Sequence, residues 1–187
     1  LAKNLENEGI SKNVQARANI GYKFNDYLSV AYSAAIVDVS ATTLDFKPND
    51  VEQAKASNSQ FNLLRWKHNA SLSFKKKFND LHALSIDAIF EERGSDTRVF
   101  TATANGFDDF FGFNNLGTGQ IETADNDVTS RSLRSLIGRA VYGYDNKYNL
   151  TATIRHDETS IFPINSSGVF PSVAGSWNVS NEDFYKS

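Results

Sequence analysis

Two pairs of neighbouring carboxylates, Glu91-Glu92 and Asp108-Asp109, are the residues of this sequence best equipped for acid–base work. Adjacent side chains of an extended chain point to opposite faces. Neither pair can then converge on one reacting atom, and both read as solvated loop or rim charges. Asp125-Asn126-Asp127 has the opening of a calcium loop, but the Gly and the distal Glu that complete one are missing. Gly117-Thr118-Gly119 lacks the Lys-Ser/Thr of a phosphate loop. The three histidines, His68, His82 and His156, are too scattered for a metal cluster. With no cysteine there are no thiolate ligands and no disulfides. The sequence therefore points to no catalytic residue, no metal and no cofactor, and a β-rich hydrolase is disfavoured.

One segment has the makings of a contact surface instead. Residues 104–130 contain five acids and no Lys or Arg, together with Phe107, Phe110, Phe111 and Phe113. Apolar rings on a long loop are costly unless they pack on something. They can pack within the loop, against a partner, or on a substrate. Phe107, Asp108, Asp109, Phe110, Phe111 and Phe113 are the candidate contact residues.

The elements that hold such a loop are strands. Period-two alternation, broken by turn residues, predicts seven of them. They fall at about 12–24, 27–38, 61–78, 81–101, 132–144, 148–157 and 169–180. In the sixth, Tyr148, Leu150, Ala152 and Ile154 alternate with Asn149, Thr151, Thr153 and Arg155. Asn25-Asp26, Asn79-Asp80 and Asp145-Asn146-Lys147 make short turns. Residues 39–60, 104–130 and the stretch around Ser166 are expected to be long loops. The fold class is all-β, an antiparallel up-and-down meander.

Short and long connections alternate without exception, which puts every short turn at one end of the sheet. Transmembrane barrels have this asymmetry. Aromatic residues cluster beside the short turns: Tyr22, Phe24 and Tyr27, then Phe74 and Phe78, then Tyr142, Tyr144 and Tyr148. Trp177 stands near the end of the last strand. Rings with a polar edge suit the water–lipid boundary. The apolar faces are accordingly expected to meet lipid, and the sheet to be part of a large transmembrane β-barrel.

Composition agrees. No run of about 18 apolar residues predicts a transmembrane helix, but barrel strands give only a weak hydropathy signal, and mean hydropathy here is -0.41. A net charge of -3 implies no broad basic field for nucleic acid. The 187 residues include no Met, so the sequence is expected to be an excerpt or a processed product.

The stretch "SLIGRAVYGYDNKYNLTATIRHDETSIF", followed by "GVFPSVAGSWNVSNEDF", resembles the C-terminal half of SusC/RagA-type TonB-dependent outer-membrane transporters. The matching residues are Gly138-Arg139, Tyr142, Tyr144, Lys147-Tyr148, Leu150, Arg155, Asp157, Ser160, Phe162, Phe170-Pro171-Ser172 and Trp177. The match covers about 131–187, and the earlier part agrees in style. The family's Gly-Ser-Ser-Arg-Phe after the Asp is replaced here by Glu158, Thr159, Ser160, Ile161 and Phe162.

The resemblance implies a barrel wall in the Gram-negative outer membrane, with the plug domain absent from this fragment. It implies nutrient import, of oligosaccharide or peptide, without covalent chemistry. The partners it implies are a SusD-like surface lipoprotein acting as a lid, TonB through the missing plug region, and membrane lipid. Arg17, Asp87, Arg139, Arg155 and Asp157 are expected to face the lumen and to pair with plug or lumen charges. The competing reading is a secreted or surface β-sandwich that binds glycans through its long loops.

Overall fold

The computed structural model describes residues 6–48, 54–106, 115–164 and 166–185. They form one seven-stranded sheet in the order β1-β2-β3-β4-β5-β6-β7, so each strand pairs with its neighbours in sequence. The strands are β1 (Glu6–Lys23), β2 (Leu28–Lys47), β3 (Lys55–Phe78), β4 (His82–Asn105), β5 (Gln120–Tyr144), β6 (Tyr148–Thr159) and β7 (Ser167–Trp177). The antiparallel meander is as expected.

Several strands run further than their alternation indicates. β2 continues to Lys47 and β3 starts at Lys55, inside the stretch expected to be a loop. β5 starts at Gln120, so Asp125-Asn126-Asp127 lies in a strand and not in a calcium-type loop. The physical reason is that residues 120–130 are exposed almost throughout. With both faces wet, no apolar period marks the strand. At the other end, β7 stops at Trp177, and a single 3-10 turn, Val179–Asn181, follows.

The three short turns are built by their own side chains. Asn25 Oδ1 accepts hydrogen bonds from the backbone N–H groups of Tyr27 (2.9 Å) and Leu28 (2.8 Å), an Asx turn. Asn79 and Asp80 have φ of 50° and 56°, and Asp145 and Asn146 have 50° and 52°. Apart from Gly, Asn and Asp are the residues that reach this left-handed region most readily. The second and third turns thus share one design.

The sheet divides into two compact units. The first holds the described residues of 6–16, 36–65 and 95–130, which include the ends of two long connections. Its core is small: Phe46, Ala54, Ala56 and Ala104 are buried, and Leu116 packs against them. Hydroxyls join its strands at Ser59–Thr101 (3.3 Å) and Ser57–Thr103 (3.5 Å). The second unit holds 17–35, 66–94 and 131–185, which include all three short turns.

Candidate functional site: a wall with two faces

The second unit presents two unlike faces. The register settles which side chains share a face. Leu136, Ala140 and Tyr142 stand opposite His156, Ala152 and Leu150, and these in turn stand opposite Val169, Val173 and Gly175. Apart from His156 at one margin, this face is apolar and open. Leu136 is 60% exposed, Leu150 52%, Ile154 57% and Val173 74%. A water-soluble protein rarely leaves so large a contiguous apolar surface uncovered.

Aromatic residues border the face at the short turns. Tyr144 stacks on Tyr148 and Tyr148 on Trp177, with centroids 6.4 and 6.5 Å apart. His82 sits against Tyr144 at 5.1 Å and hydrogen bonds to Tyr142 Oη. Tyr148 Oη and Trp177 Nε1 both donate to Glu182 Oε1, at 2.6 and 3.0 Å. These two hydrogen bonds hold the Glu182 carboxyl below its ordinary range. Beside it, a hydrogen bond to Asp145 raises the Lys147 ammonium.

Charges border the same face at its other margin. Arg134 pairs with Glu92 at 2.9 Å and with Glu158 at 3.8 Å. From Tyr148 to Glu158 the strand rises about 33 Å, which is about 23 Å along the membrane normal at the tilt of about 45° usual in barrels. An apolar band about 25 Å tall, framed by aromatic residues, is the outer surface of a membrane barrel.

The opposite face is polar. Arg155 Nε donates to both oxygens of Asp157 (2.7 and 2.8 Å), and its terminal nitrogen donates to Ser135 Oγ at 3.1 Å. Lys67 pairs with Glu91 at 2.7 Å, and Ser73 Oγ donates to Asp87 at 2.6 Å. Arg139 lies on this face opposite Thr153. Arg17 occupies a polar position of β1 and is exposed. Of the residues expected to share the polar face, Arg139, Arg155 and Asp157 are therefore brought together. Glu91, read in the sequence only as a solvated charge, joins them, as do Lys67 and Ser135, which were not singled out. Phe107, Asp108, Asp109, Phe110, Phe111 and Phe113 lie outside the described residues. Among the described residues no group of His, Asp and Glu could hold a metal.

No protein-family model matches the chain. In sequence it is 34% identical over 118 residues to TonB-dependent receptor P39 of Formosa agariphila, a match covering 62% of this chain and 11% of that receptor. It is 29% identical over 139 residues to TonB-dependent receptor P26 of the same organism, covering 71% and 14%. Over these stretches the chain is similar in sequence to TonB-dependent receptors. The fold agrees. Against the RagAB peptide transporter the TM-score is 0.84 at 20% identity, over 97% of this chain and 21% of that one. Against the same importer in its open-open state it is 0.83. The chain thus has the fold of a segment of a TonB-dependent transporter barrel, and its place is the Gram-negative outer membrane. The chain spans a small fraction of the length of the proteins it matches.

Proposed function

We propose that the chain forms part of the wall of an outer-membrane importer energised through TonB, which takes up oligosaccharides or peptides. The observation that carries this is the exposed apolar band of the second unit, framed by stacked rings at one margin and by Arg134 with its two carboxylates at the other. In this reading Arg17, Asp87, Arg139, Arg155 and Asp157 face the lumen. The edges of β1 and β7 pair with further wall strands, since an open edge invites uncontrolled pairing, and a plug occupies the closed barrel. The wall itself does no covalent chemistry. The β-sandwich alternative has no use for an uncovered apolar face of this extent.

The Phe-rich segment is given the remaining role. Phe107, Phe110, Phe111 and Phe113, with Asp108 and Asp109, contact a SusD-like surface lipoprotein that closes over the barrel. Buried aromatic anchors often dominate interfaces, at about 2 kcal/mol or more each. The test is uptake of labelled oligosaccharide and peptide libraries by cells that carry the full-length receptor. Import that stops when TonB is deleted supports the function, and import indifferent to TonB refutes it. Exchanging Phe110→Ser with Phe111→Ser should weaken capture of the lipoprotein while leaving the barrel assembled. Unchanged capture and uptake would remove the docking role.

A further inference from the structure

The chain as a whole is acidic, yet the polar face of its second unit is cationic. Its three carboxylates are already engaged: Asp87 by Ser73, Glu91 by Lys67 and Asp157 by Arg155. Arg17, Lys75, Lys77, Arg93 and Arg139 occupy the same alternation as these residues, and none of the five is in an ion pair among the described residues. The excess is therefore not cancelled within the unit. It does not extend to the apolar face, where Arg134 sits between two carboxylates.

Part of this excess borders a recess. Lys75 and Lys77 of β3, Ala83 and Ser85 of β4, and Val141 and Asn149 of β5 and β6 line a depression of about 320 Å³. That is the lower end of the size usual for ligand sites, about 300–1,000 Å³. Gly143 keeps it open, because a β-carbon there would stand 3.0 Å from Asn149 Oδ1 and 3.7 Å from Ala83 Cβ. The rest of the polar face offers hydroxyls, including Ser73, Thr151 and Thr153, and the recess itself offers the Asn149 amide. Such groups match the hydroxyls of a sugar. Lys75 and Lys77 line this recess, and a cleft bordered by charge of one sign raises the local concentration of anions.

We propose that the Lys75–Lys77 recess is an anion subsite for an oligosaccharide bearing carboxylate or sulfate groups, and that Arg139 and Arg17 extend its cationic track. The inference rests on the lumen assignment made above, and it names the class of substrate. Lysine suits this role because its ammonium acts as a compact point charge on a flexible stem. It can hold a passing anion without the fixed fork of an arginine.

The test uses the purified full-length receptor in detergent. Equilibrium binding is measured for oligogalacturonate and for a sulfated carrageenan oligosaccharide, each against its neutral counterpart, the methyl ester and the desulfated chain. The wild type should bind at least one acidic form about tenfold or more tighter than its neutral form, and the preference should shrink as salt is raised. Lys75→Gln with Lys77→Gln should abolish most of that preference, and Lys75→Arg with Lys77→Arg should retain it. No acidic preference in the wild type, or an unchanged preference in the Gln pair, overturns the proposal. Preference for hexaglutamate with none for either glycan also overturns it, by pointing to acidic peptides. If the Gln pair keeps its glycan preference while cells become permeable to vancomycin, the lysines hold a plug instead. Loss of TonB dependence in uptake would undo the importer reading but would not alter the binding result.

Discussion

Trp66 packs over Gly94: a β-carbon built on Gly94 would stand 2.5 Å from Trp66 Cζ2 and 2.8 Å from its Nε1. Trp66 on β3 and Gly94 on β4 thus form a ring-and-gap pair across neighbouring strands. Gly94→Ala cannot be accommodated unless the indole swings away. The expected cost is about 1–3 kcal/mol, as for other overpacked sites. Trp66 fluorescence, read in a Trp177→Phe background, should shift with it. Gly175→Ala is the control, because its β-carbon would meet only Asn149 O at 3.8 Å. Equal stability of the two variants would show that Gly94 is not needed for the ring.

The two faces of β6 should respond oppositely to charge. Leu150→Arg or Ile154→Arg places a cation on the apolar face, which costs about 2–4 kcal/mol near the membrane midplane. Thr151→Arg and Thr153→Arg lie on the polar face and should be tolerated. Heat-modifiable mobility of the full-length barrel on gels reports assembly. Similar losses at both pairs would remove the assignment of faces.

Acid should loosen the strap that follows β7. Glu182 receives hydrogen bonds from Tyr148 and Trp177, and its pKa is held below the ordinary value of 4.5 by them. A carboxyl depressed on folding contributes stability that is fully present above its unfolded pKa. That contribution is lost as pH falls through the lower, folded value. Hydrogen exchange at 178–185 should therefore be constant from pH 7 to about pH 5 and should accelerate below about 4.5, after correction for intrinsic rates. Glu182→Gln should flatten the transition. Exchange that stays constant to well below pH 4 in the wild type would contradict the strap.

The sequence exposed the meander wherever one face had to be apolar. In β6 the alternation of Leu150 and Ile154 with Thr151 and Thr153 survives in the register. The turns were legible because Asn79-Asp80 and Asp145-Asn146 carry their own conformational reason. The far end of β2, beyond Asp38, and the first half of β5 were not legible. In β5 the reason is that 120–130 is exposed almost throughout, and a strand wet on both faces carries no period; in β2 residues 39–44 are half-buried without a break, so neither face stands out. The Trp66–Gly94 pair was hidden too, because spacing within β3 does not reveal what stands across from it on β4. The recess needed four strands, β3 to β6, to be aligned. Lys75 and Lys77 alternate visibly, but nothing in the sequence places Ser85, Val141 and Asn149 beside them. The Phe-rich segment was read from composition, and its residues lie outside those described.

Accessibility along β6 tests the wall most directly. The chain contains no cysteine, so Leu150→Cys through Arg155→Cys can be introduced one at a time into the full-length receptor in outer membranes, against a background without other reactive thiols. Each is then exposed to a water-soluble maleimide and to a lipid-phase maleimide. A barrel wall predicts a strict period of two. Positions 150, 152 and 154 react from lipid, and 151, 153 and 155 from water. Uniform labelling by the water-soluble reagent, or the opposite phase, would contradict the claim that Leu150 and Ile154 face the membrane.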